Sequence, residues 1–178
     1  KGAEALGLAG PVDSGTFQDL LRGVINGQPV TRASTRHDSK TRLAIDLTFS
    51  APKSVSVLWG LAPDQVRQQI EAVHRQAVEA ALAYLEQVAG FTRRGKGGTT
   101  EEKVPVAFAV FQHGTSRDQD PQLHTHAVLI NLGFRQDGST GSLQSIHFFR
   151  QKMIAGALYR AELASRLCQH LGLTVVPE

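Results

Sequence analysis

Residues 111–131 have the sequence FQHGTSRDQDPQLHTHAVLIN, which places three of the chain's seven histidines within fourteen positions. The second half of this stretch alternates apolar and polar side chains, which predicts a strand over residues 122–131 with one buried face. Because strand side chains alternate between faces, His124 and His126 leave the same face. His113 ends the preceding strand. If the polar turn between the two strands returns the chain antiparallel, His113 lies beside the pair.

Three imidazoles on one face form a set of nitrogen ligands that leaves coordination positions open, as in working metal sites rather than closed structural ones. We therefore predict a divalent ion, Mg, Mn or Zn, bound by His113, His124 and His126. Two strand histidines alone can be plain surface residues, so the third histidine is what favours a metal. The other four lack a common spacing and are assigned to surface or helix-capping positions: His37, His74, His147 and His170.

A second strand, predicted over residues 43–50, carries an acidic residue in an apolar setting. Its alternation places Ile45, Leu47 and Phe49 on one face and Asp46, Thr48 and Ser50 on the other. A carboxylate inside such a strand is costly unless it has a partner or a role. Asp46 is predicted to orient a metal-binding imidazole or to act as a general base, and a solvated place on an edge strand is the alternative.

Helical periodicity predicts four helices around these strands. The first covers residues 16–23 and is capped by Asp13 or Ser14, and the second starts after Ser50 and ends at Gly60. The third runs from Pro63 to near Gly90. Its predicted packing face contains Ile70, Val73, Ala77, Ala81 and Leu85. The fourth covers residues 148–171, with a predicted buried stripe of Met153, Ala157, Leu158, Ala161 and Leu167.

The connections predict an α+β fold, an antiparallel central sheet covered by helices, in one domain over residues 1–178. Residues 91–94 and 104–112 flank a glycine-rich tip and predict a hairpin. Parallel strands would need helical crossovers between nearly every pair, and the chain lacks them.

Composition describes an ordinary globular protein, with 41% hydrophobic residues among 178. No apolar run approaches the roughly 20 residues that cross a bilayer. A single cysteine, Cys168, allows no internal disulfide and favours the cytoplasm. We expect a monomer.

The net charge of +3, from 19 basic and 16 acidic residues, is a mild bias toward polyanions. Basic residues lie around Asp46, in the hairpin and in the turn after His113, and these positions suit a phosphate backbone. The predicted DNA-binding residues are Arg36, Lys40, Arg42, Lys53 and Arg117, with Arg32, Arg93, Arg94 and Lys96 as further candidates.

Two segments, DLTFSAPKSVS (residues 46–56) and HGTSRDQDPQLHTHAV (residues 113–128), closely resemble the conjugative relaxases of the TrwC/TraI (MobF) type, in the HUH endonuclease superfamily. KGAEALGL (residues 1–8) matches as well, so the resemblance spans essentially the whole chain.

The resemblance implies a palm-like antiparallel sheet and nicking of one DNA strand at an origin of transfer. In that family a tyrosine forms a covalent 5′-phosphotyrosine link, and the histidine triad holds a divalent ion against the scissile phosphate. The triad corresponds to His113, His124 and His126, and the family's strand aspartate to Asp46. Single-stranded origin DNA, other relaxosome proteins and a bacterial cytoplasm are the implied partners and location.

One departure concerns the nucleophile, since the family's catalytic tyrosines precede the KGAEALGL-like segment with which this sequence begins. We therefore expect a relaxase domain lacking the tyrosine segment and inactive without it. The two tyrosines, Tyr84 and Tyr159, lie on predicted helices and are assigned to packing.

Three alternatives stay open at this point: a rolling-circle replication initiator of the HUH group, a non-catalytic single-stranded DNA-binding module, and a metal-dependent oxygenase with a His-X-His motif. The many helices and the absence of a ligand carboxylate two residues after the first histidine disfavour the oxygenase.

Overall fold

The computed structural model describes residues 2–5, 8–25, 27–29 and 43–174, which form helices and mostly short strands. In chain order the elements are α1 (Gly2–Ala5), α2 (Ser14–Leu21), β1 (Val24–Ile25), β2 (Gln28–Pro29), β3 (Ala44–Ser50), α3 (Lys53–Leu61), α4 (Asp64–Ala89), β4 (Phe91–Arg94), β5 (Thr100–Lys103), β6 (Phe108–Thr115), β7 (Pro121–Ile130), β8 (Gly133–Phe134), β9 (Thr140–Gly141) and α5 (Ser145–Leu171).

The three longest strands form one sheet in the order β3-β7-β6. The Asn131 amide donates to the Leu43 carbonyl at 3.0 Å, and the Ala51 amide donates to the Leu123 carbonyl at 2.9 Å. The start of β3 thus lies beside the end of β7, and the end of β3 lies beside the start of β7, so this pair is antiparallel. The predicted strand over residues 43–50 is confirmed within one residue, with Ile45 and Phe49 buried on one face.

Strands β6 and β7 are also antiparallel. The connection over residues 116–120 is far too short for a parallel crossover. At the other end of the pair, the Ile130 amide donates to the Ala107 carbonyl at 3.0 Å. The predicted α+β class with an antiparallel sheet is confirmed, and the sheet places the two histidine-bearing strands side by side.

The predicted hairpin exists, but its second strand was placed wrongly. β4 pairs with β5, from Phe91 opposite Lys103 to Arg94 opposite Thr100. The predicted partner, residues 104–112, contains instead the start of β6, which pairs with β7. Three tip glycines, Gly95, Gly97 and Gly98, have φ between 69° and 78°, a region that glycine enters without steric cost. They close a tighter turn than the sequence predicted, so pairing starts earlier.

Helices α2, α3 and α4 follow their predicted signals closely. Asp13 caps α2, with its carboxylate accepting from the Thr16 amide at 2.7 Å. Helix α3 continues one residue beyond Gly60 to Leu61, and its N-cap is Pro52, with no side-chain cap. The predicted packing face of α4 is confirmed, since each of these residues is at most 4% exposed: Ile70, Val73, Ala77, Ala81 and Leu85.

The predicted buried stripe of α5 is largely wrong. Met153 is 71% exposed, and Ala157 and Ala161 are exposed too. The observed stripe, spaced mainly by four residues, is Phe148, Ala155, Tyr159, Leu163 and Leu167. An apolar residue at helical spacing is available on both sides of this helix, so periodicity alone did not decide which side is buried.

The chain divides into two compact units. One holds the described residues of Lys1–Leu47, Glu86–Val110 and Ala127–Phe149, and the other those of Thr48–Leu85, Phe111–His126 and Arg150–Glu178. The first unit contains an apolar cluster of Ala107, Ile130 and Leu132 against side chains of α2. The second contains the histidine-rich ends of β6 and β7. A single domain over residues 1–178 stays a prediction.

Candidate metal centre

Strand β7 separates its side chains by alternation. Leu123 and Thr125 are buried on one face, whereas His124 and His126 are half-buried on the other. His113 is exposed near the end of β6, the neighbouring strand. The sheet therefore brings together the three histidines that the sequence selected, which we call the three-histidine cluster.

The three imidazole rings form an almost equilateral triangle. Ring centres are 5.2 Å apart for His113 and His124, 5.3 Å for His113 and His126, and 5.1 Å for His124 and His126. Three imidazoles bound to one ion through nitrogens about 2.1 Å away have ring centres roughly 5 Å apart when the angles at the ion are tetrahedral. The spacing of the rings fits a shared ion.

The orientation of the nitrogens is less complete than the spacing of the rings. Within the described residues, no group of three or more His, Cys, Asp or Glu side chains has its donor atoms already arranged to hold a metal ion. The strands set the position of each ring, whereas the direction of its nitrogens changes when the imidazole turns about its side-chain torsions. The spacing of the rings is therefore the better indicator of a metal site. A shared ion would therefore need the rings to turn about their side-chain torsions.

One of the three rings has a defined tautomer. His124 Nδ1 lies 2.9 Å from the Gln122 carbonyl oxygen, which can only accept, so Nδ1 carries the proton. The Nε2 lone pair of His124 is then the one that can bind a metal. A backbone carbonyl behind a ligand imidazole is a common way to fix its tautomer.

Strand β3 contributes a neighbour that the sequence analysis missed. The Thr48 hydroxyl lies 3.4 Å from His126 Nδ1. Thr48 and the predicted site residue Asp46 are two positions apart on the exposed face of β3. The signal was present in the alternation of β3, which places both side chains on one face.

Trp59 of α3 packs against the strand that carries His113. A Cβ atom at Gly114 would lie 2.3 Å from the Trp59 ring, so the indole occupies the space that a side chain there would need. Trp59 Nε1 donates to Glu71 at 2.9 Å, and the Arg67 guanidinium lies 5.9 Å from the indole centre. The chain's single tryptophan is thus fixed beside the residue that follows a predicted metal ligand.

A model of the TrwC relaxase family matches residues 1–178. The chain belongs to the TrwC relaxase family. The multifunctional conjugation protein TraI of Escherichia coli K12 is 39% identical over 94% of this chain. A metal-bound structure of the conjugative relaxase TrwC with oriT DNA is 44% identical, covers 98% of this chain and has a TM-score of 0.88. A copper-bound TrwC–oriT DNA structure is likewise 44% identical over 98% of this chain, with a TM-score of 0.87.

This TrwC-family chain is shorter than the relatives it matches. It spans 10% of the curated TraI protein and 60% and 59% of the two TrwC chains. None of the helices in the described ranges is long and apolar enough to cross a membrane.

Behind the three-histidine cluster, this TrwC-family chain contains a buried polar network. His74 of α4 is fully buried, with Nε2 2.7 Å from the Thr125 hydroxyl and Nδ1 2.9 Å from the Tyr159 hydroxyl. Burial lowers the pKa of His74 to about 4, and His124 acts in the same direction. His74 is therefore neutral at neutral pH.

The assignment of His74 to the surface or a helix cap was wrong. It lies four residues after Ile70 and three before Ala77, so it occupies the packing face of α4 that the sequence identified. That spacing was the available signal. A histidine on such a face needs polar partners, and only the folded chain shows that Thr125 and Tyr159 provide them.

Both tyrosines of this TrwC-family chain are engaged. Tyr159 is 2% exposed, and burial raises the pKa of its hydroxyl above the ordinary value, although Arg160 acts in the opposite direction. The half-buried Tyr84 donates to Gln151 at 2.8 Å. Their assignment to helix packing agrees with these contacts.

The predicted DNA-binding residues differ in what the structure says of them. Arg36, Lys40 and Arg42 lie outside the described residues. Arg117 is exposed in the turn between β6 and β7. Lys53 is also exposed, and its Nζ donates to the Pro121 carbonyl at 3.2 Å and lies 3.7 Å from Asp120.

The hairpin arginines are paired with other side chains of the first unit. Arg94 pairs with Glu102 and Asp137 at 2.6 and 2.5 Å, and these hydrogen bonds raise its pKa, with Asp137 contributing most. Arg93 donates to Gln144 at 3.1 Å. These contacts make Arg93 and Arg94 weaker candidates for DNA than the sequence suggested.

Proposed function

We propose that this chain is the DNA-binding and metal-binding part of a conjugative relaxase, which nicks and rejoins one strand at an origin of transfer by tyrosine transesterification. The observation that carries the proposal is the three-histidine cluster in a member of the TrwC relaxase family. Relatives that are 44% identical are described as bound to oriT DNA and metal.

The proposed metal ligands are His113, His124 and His126. Imidazole nitrogen suits Zn, Cu and other transition metals, whereas Mg prefers oxygen and several waters, so of the predicted ions this donor set favours Zn over Mg. When bound, such an ion neutralises phosphate oxygens on which charge develops during strand transfer. His124 supports this role by keeping its proton on Nδ1, toward the Gln122 carbonyl.

Asp46 is proposed as the general base, or as the acceptor that orients an imidazole. Support comes from the family motif and from its position on the exposed face of β3, two residues from Thr48. In the reaction, the nucleophile loses a proton, its oxygen bonds to phosphorus and the 3′ oxygen leaves. The number of phosphoester bonds is conserved, so rejoining needs no nucleotide.

Neither tyrosine of this sequence suits the nucleophile. The Tyr159 hydroxyl is buried and its pKa is raised, so it resists forming the anion that would attack. It is also hydrogen-bonded to His74. Tyr84 lies on α4 and is bonded to Gln151. We propose that this chain binds an ion and DNA without forming a covalent adduct.

Single-stranded DNA is the proposed substrate, contacted by Lys53 and Arg117 and by Arg36, Lys40 and Arg42. Side-chain cations along one strand give affinity that falls steeply with salt. Association with other relaxosome proteins, a monomeric state and a cytoplasmic location remain part of the proposal.

Fluorescence anisotropy with labelled oligonucleotides tests the DNA component. We expect a transfer-origin strand to bind more tightly than its duplex or a scrambled strand. Preference for a replication-origin hairpin would favour the rolling-circle initiator, and equal binding of all single strands would favour a non-catalytic binding module. No binding at low salt contradicts the proposal.

Titration with Cu²⁺ tests the metal component, with quenching of Trp59 and calorimetry as readouts. We expect one ion per chain.

A denaturing gel tests the nucleophile. A band of protein–DNA adduct that is lost in Tyr84→Phe or Tyr159→Phe would show that the nucleophile is misassigned.

A further inference from the structure

Strand β7 is held at two positions that bracket His124, through its backbone at Leu123 and through the buried side chain of Thr125. The Leu123 amide donates to the Ser56 hydroxyl at 3.1 Å, and the Leu123 carbonyl accepts from the Ala51 amide at 2.9 Å. Two residues on, the Thr125 hydroxyl meets His74 Nε2 at 2.7 Å. Ser56, Thr125 and His74 are each at most 2% exposed.

His74 is itself fixed from a third element. Its Nδ1 lies 2.9 Å from the Tyr159 hydroxyl of α5, and the two rings meet edge to face with centres 5.6 Å apart. The Tyr159 ring also packs on Phe49, with centres 5.5 Å apart. Every buried side-chain nitrogen and oxygen in the described part of the chain has a hydrogen-bond partner, so this network is complete.

A polar network at this place is informative because apolar side chains of the same size would bury more cheaply. A strand that slips by one residue exchanges its two faces. In β7 such a slip would bury His124 and His126 and expose Thr125. Burial of Leu123, Ala127 and Leu129 on the same face already opposes such a slip. The hydrogen bond between His74 and Thr125 adds a directional contact that holds this face of β7 at a defined place against α4, which apolar packing alone does not set.

We propose that His74 is a positioning residue, which acts through the Thr125 hydroxyl to hold β7 so that His124 and His126 present their rings together on the opposite face. Tyr159 fixes His74, and Ser56 provides the second anchor. This inference rests on the proposed metal-binding function for its consequence, and on the hydrogen bonds of the buried face for its geometry.

The central test compares Thr125→Val, which keeps the β-branched shape and removes the hydroxyl, with Thr125→Ser, which keeps a hydroxyl. The matched control is Thr92→Val, because Thr92 is fully buried and accepts from Arg135 at 3.1 Å in the other unit. Cu²⁺ affinity is measured by calorimetry and Trp59 quenching, and the ligand set by electron paramagnetic resonance.

We expect Thr125→Val to weaken Cu²⁺ binding about 10- to 100-fold and to change the copper spectrum, as loss of outer-shell partners does in other metal sites. Thr125→Ser restores most of the affinity, and Thr92→Val leaves it unchanged at a similar loss of thermal stability. Unchanged affinity in Thr125→Val overturns the proposal, and so does an equal loss in Thr92→Val.

Two further measurements keep the proposal decidable. The first is Tyr159→Phe, a milder variant that can be used if Thr125→Val does not fold. We expect Tyr159→Phe to weaken Cu²⁺ binding as well. Wild-type Cu²⁺ affinity in this variant would contradict a role of the network in metal binding. Amide hydrogen exchange of the metal-free protein is the second. Exchange at residues 123–126 is expected to accelerate in the Thr125 or Tyr159 variant and not in Thr92→Val.

If the wild type binds no ion, the metal-site proposal fails. Hydrogen exchange then still decides whether His74 holds the strand.

Discussion

Two polar clusters of this protein, one in each unit, use their side chains in opposite ways. In the first unit, the hairpin ion cluster consists of Arg94 between Glu102 and Asp137, so that a cation and its anions satisfy each other. In the second unit, the three-histidine cluster places three side chains of the same kind about 5 Å apart. Opposite charges that pair within the protein neutralise each other, whereas convergent donors of one kind are typical of a ligand site.

Removal of a predicted ligand is expected to have the largest effect on this contrast. His124→Ala leaves two imidazoles and should reduce divalent-ion affinity at least about 100-fold, because a site with open positions depends on each protein ligand. Calorimetry with Cu²⁺ or Zn²⁺ measures it. The control is His147→Ala, which removes a histidine that is hydrogen-bonded to Glu101 in the first unit. It should bind the divalent ion with wild-type affinity. Equal affinity in the two variants would remove the distinction between the clusters.

Acid should destabilise the buried network around His74 and the hairpin ion cluster over different pH ranges. Folded His74 has a pKa of about 4, against about 6.5 when unfolded, so protons bind the unfolded chain preferentially between these values. The stability that neutral His74 contributes is present above pH 6.5 and is lost as pH falls, by about 3 kcal/mol near pH 4. Carboxylates with lowered pKa values, Glu102 and Asp137, lose their contribution only at lower pH.

Urea unfolding at a series of pH values measures this difference, with His74→Gln as the comparison. The variant should lack the decline between pH 6.5 and 4, although Tyr159, His124 and all carboxylates remain. Parallel curves for the two proteins would mean that His74 takes up its proton in the folded state as readily as in the unfolded one.

Packing beside the histidine cluster gives a smaller expected effect. Gly114→Ala places a Cβ 2.3 Å from the Trp59 ring and should destabilise the protein by about 1–3 kcal/mol while shifting Trp59 fluorescence. Gly156→Ala, where the nearest atom would lie 3.7 Å away, should stabilise α5 by about 0.5–1 kcal/mol. Thermal unfolding of both variants is the measurement. Unchanged stability in Gly114→Ala would show that the indole can move away from this position.

The smallest effect concerns single cations on DNA, and it compares the exposed Lys53, which has one distant carboxylate partner, with Arg94, which has two close ones. Lys53→Gln should lower the dependence of log affinity on log salt by about 0.7 to 1, since one phosphate contact is lost. Arg94→Gln should leave that slope unchanged, because Arg94 is occupied by Glu102 and Asp137. The slopes come from anisotropy titrations with single-stranded DNA at several salt concentrations. A larger change of the slope in Arg94→Gln than in Lys53→Gln would show that Arg94, and not Lys53, contacts the DNA.

Local patterns determined much of this protein from the sequence alone. Alternation along β3 and β7 determined which side chains share a face, and the polar turn between the two histidine-bearing strands made an antiparallel return the expectation. The three candidate ligands His113, His124 and His126 were then identified from their spacing and from the family motifs, without any structure. These features are predictable because covalent geometry sets the direction of each side chain relative to its neighbours in the chain.

The tertiary structure decided what each face meets. It buried His74 between Thr125 and Tyr159, placed Thr48 beside His126, paired Arg94 with Asp137 and selected the Phe148–Leu167 side of α5 for the core. Each of these partners is separated by tens of residues along the chain, so no local period contains it. Whether a polar side chain becomes a ligand, an anchor or an ion pair depends on which group packs against it, and only the folded chain specifies that group.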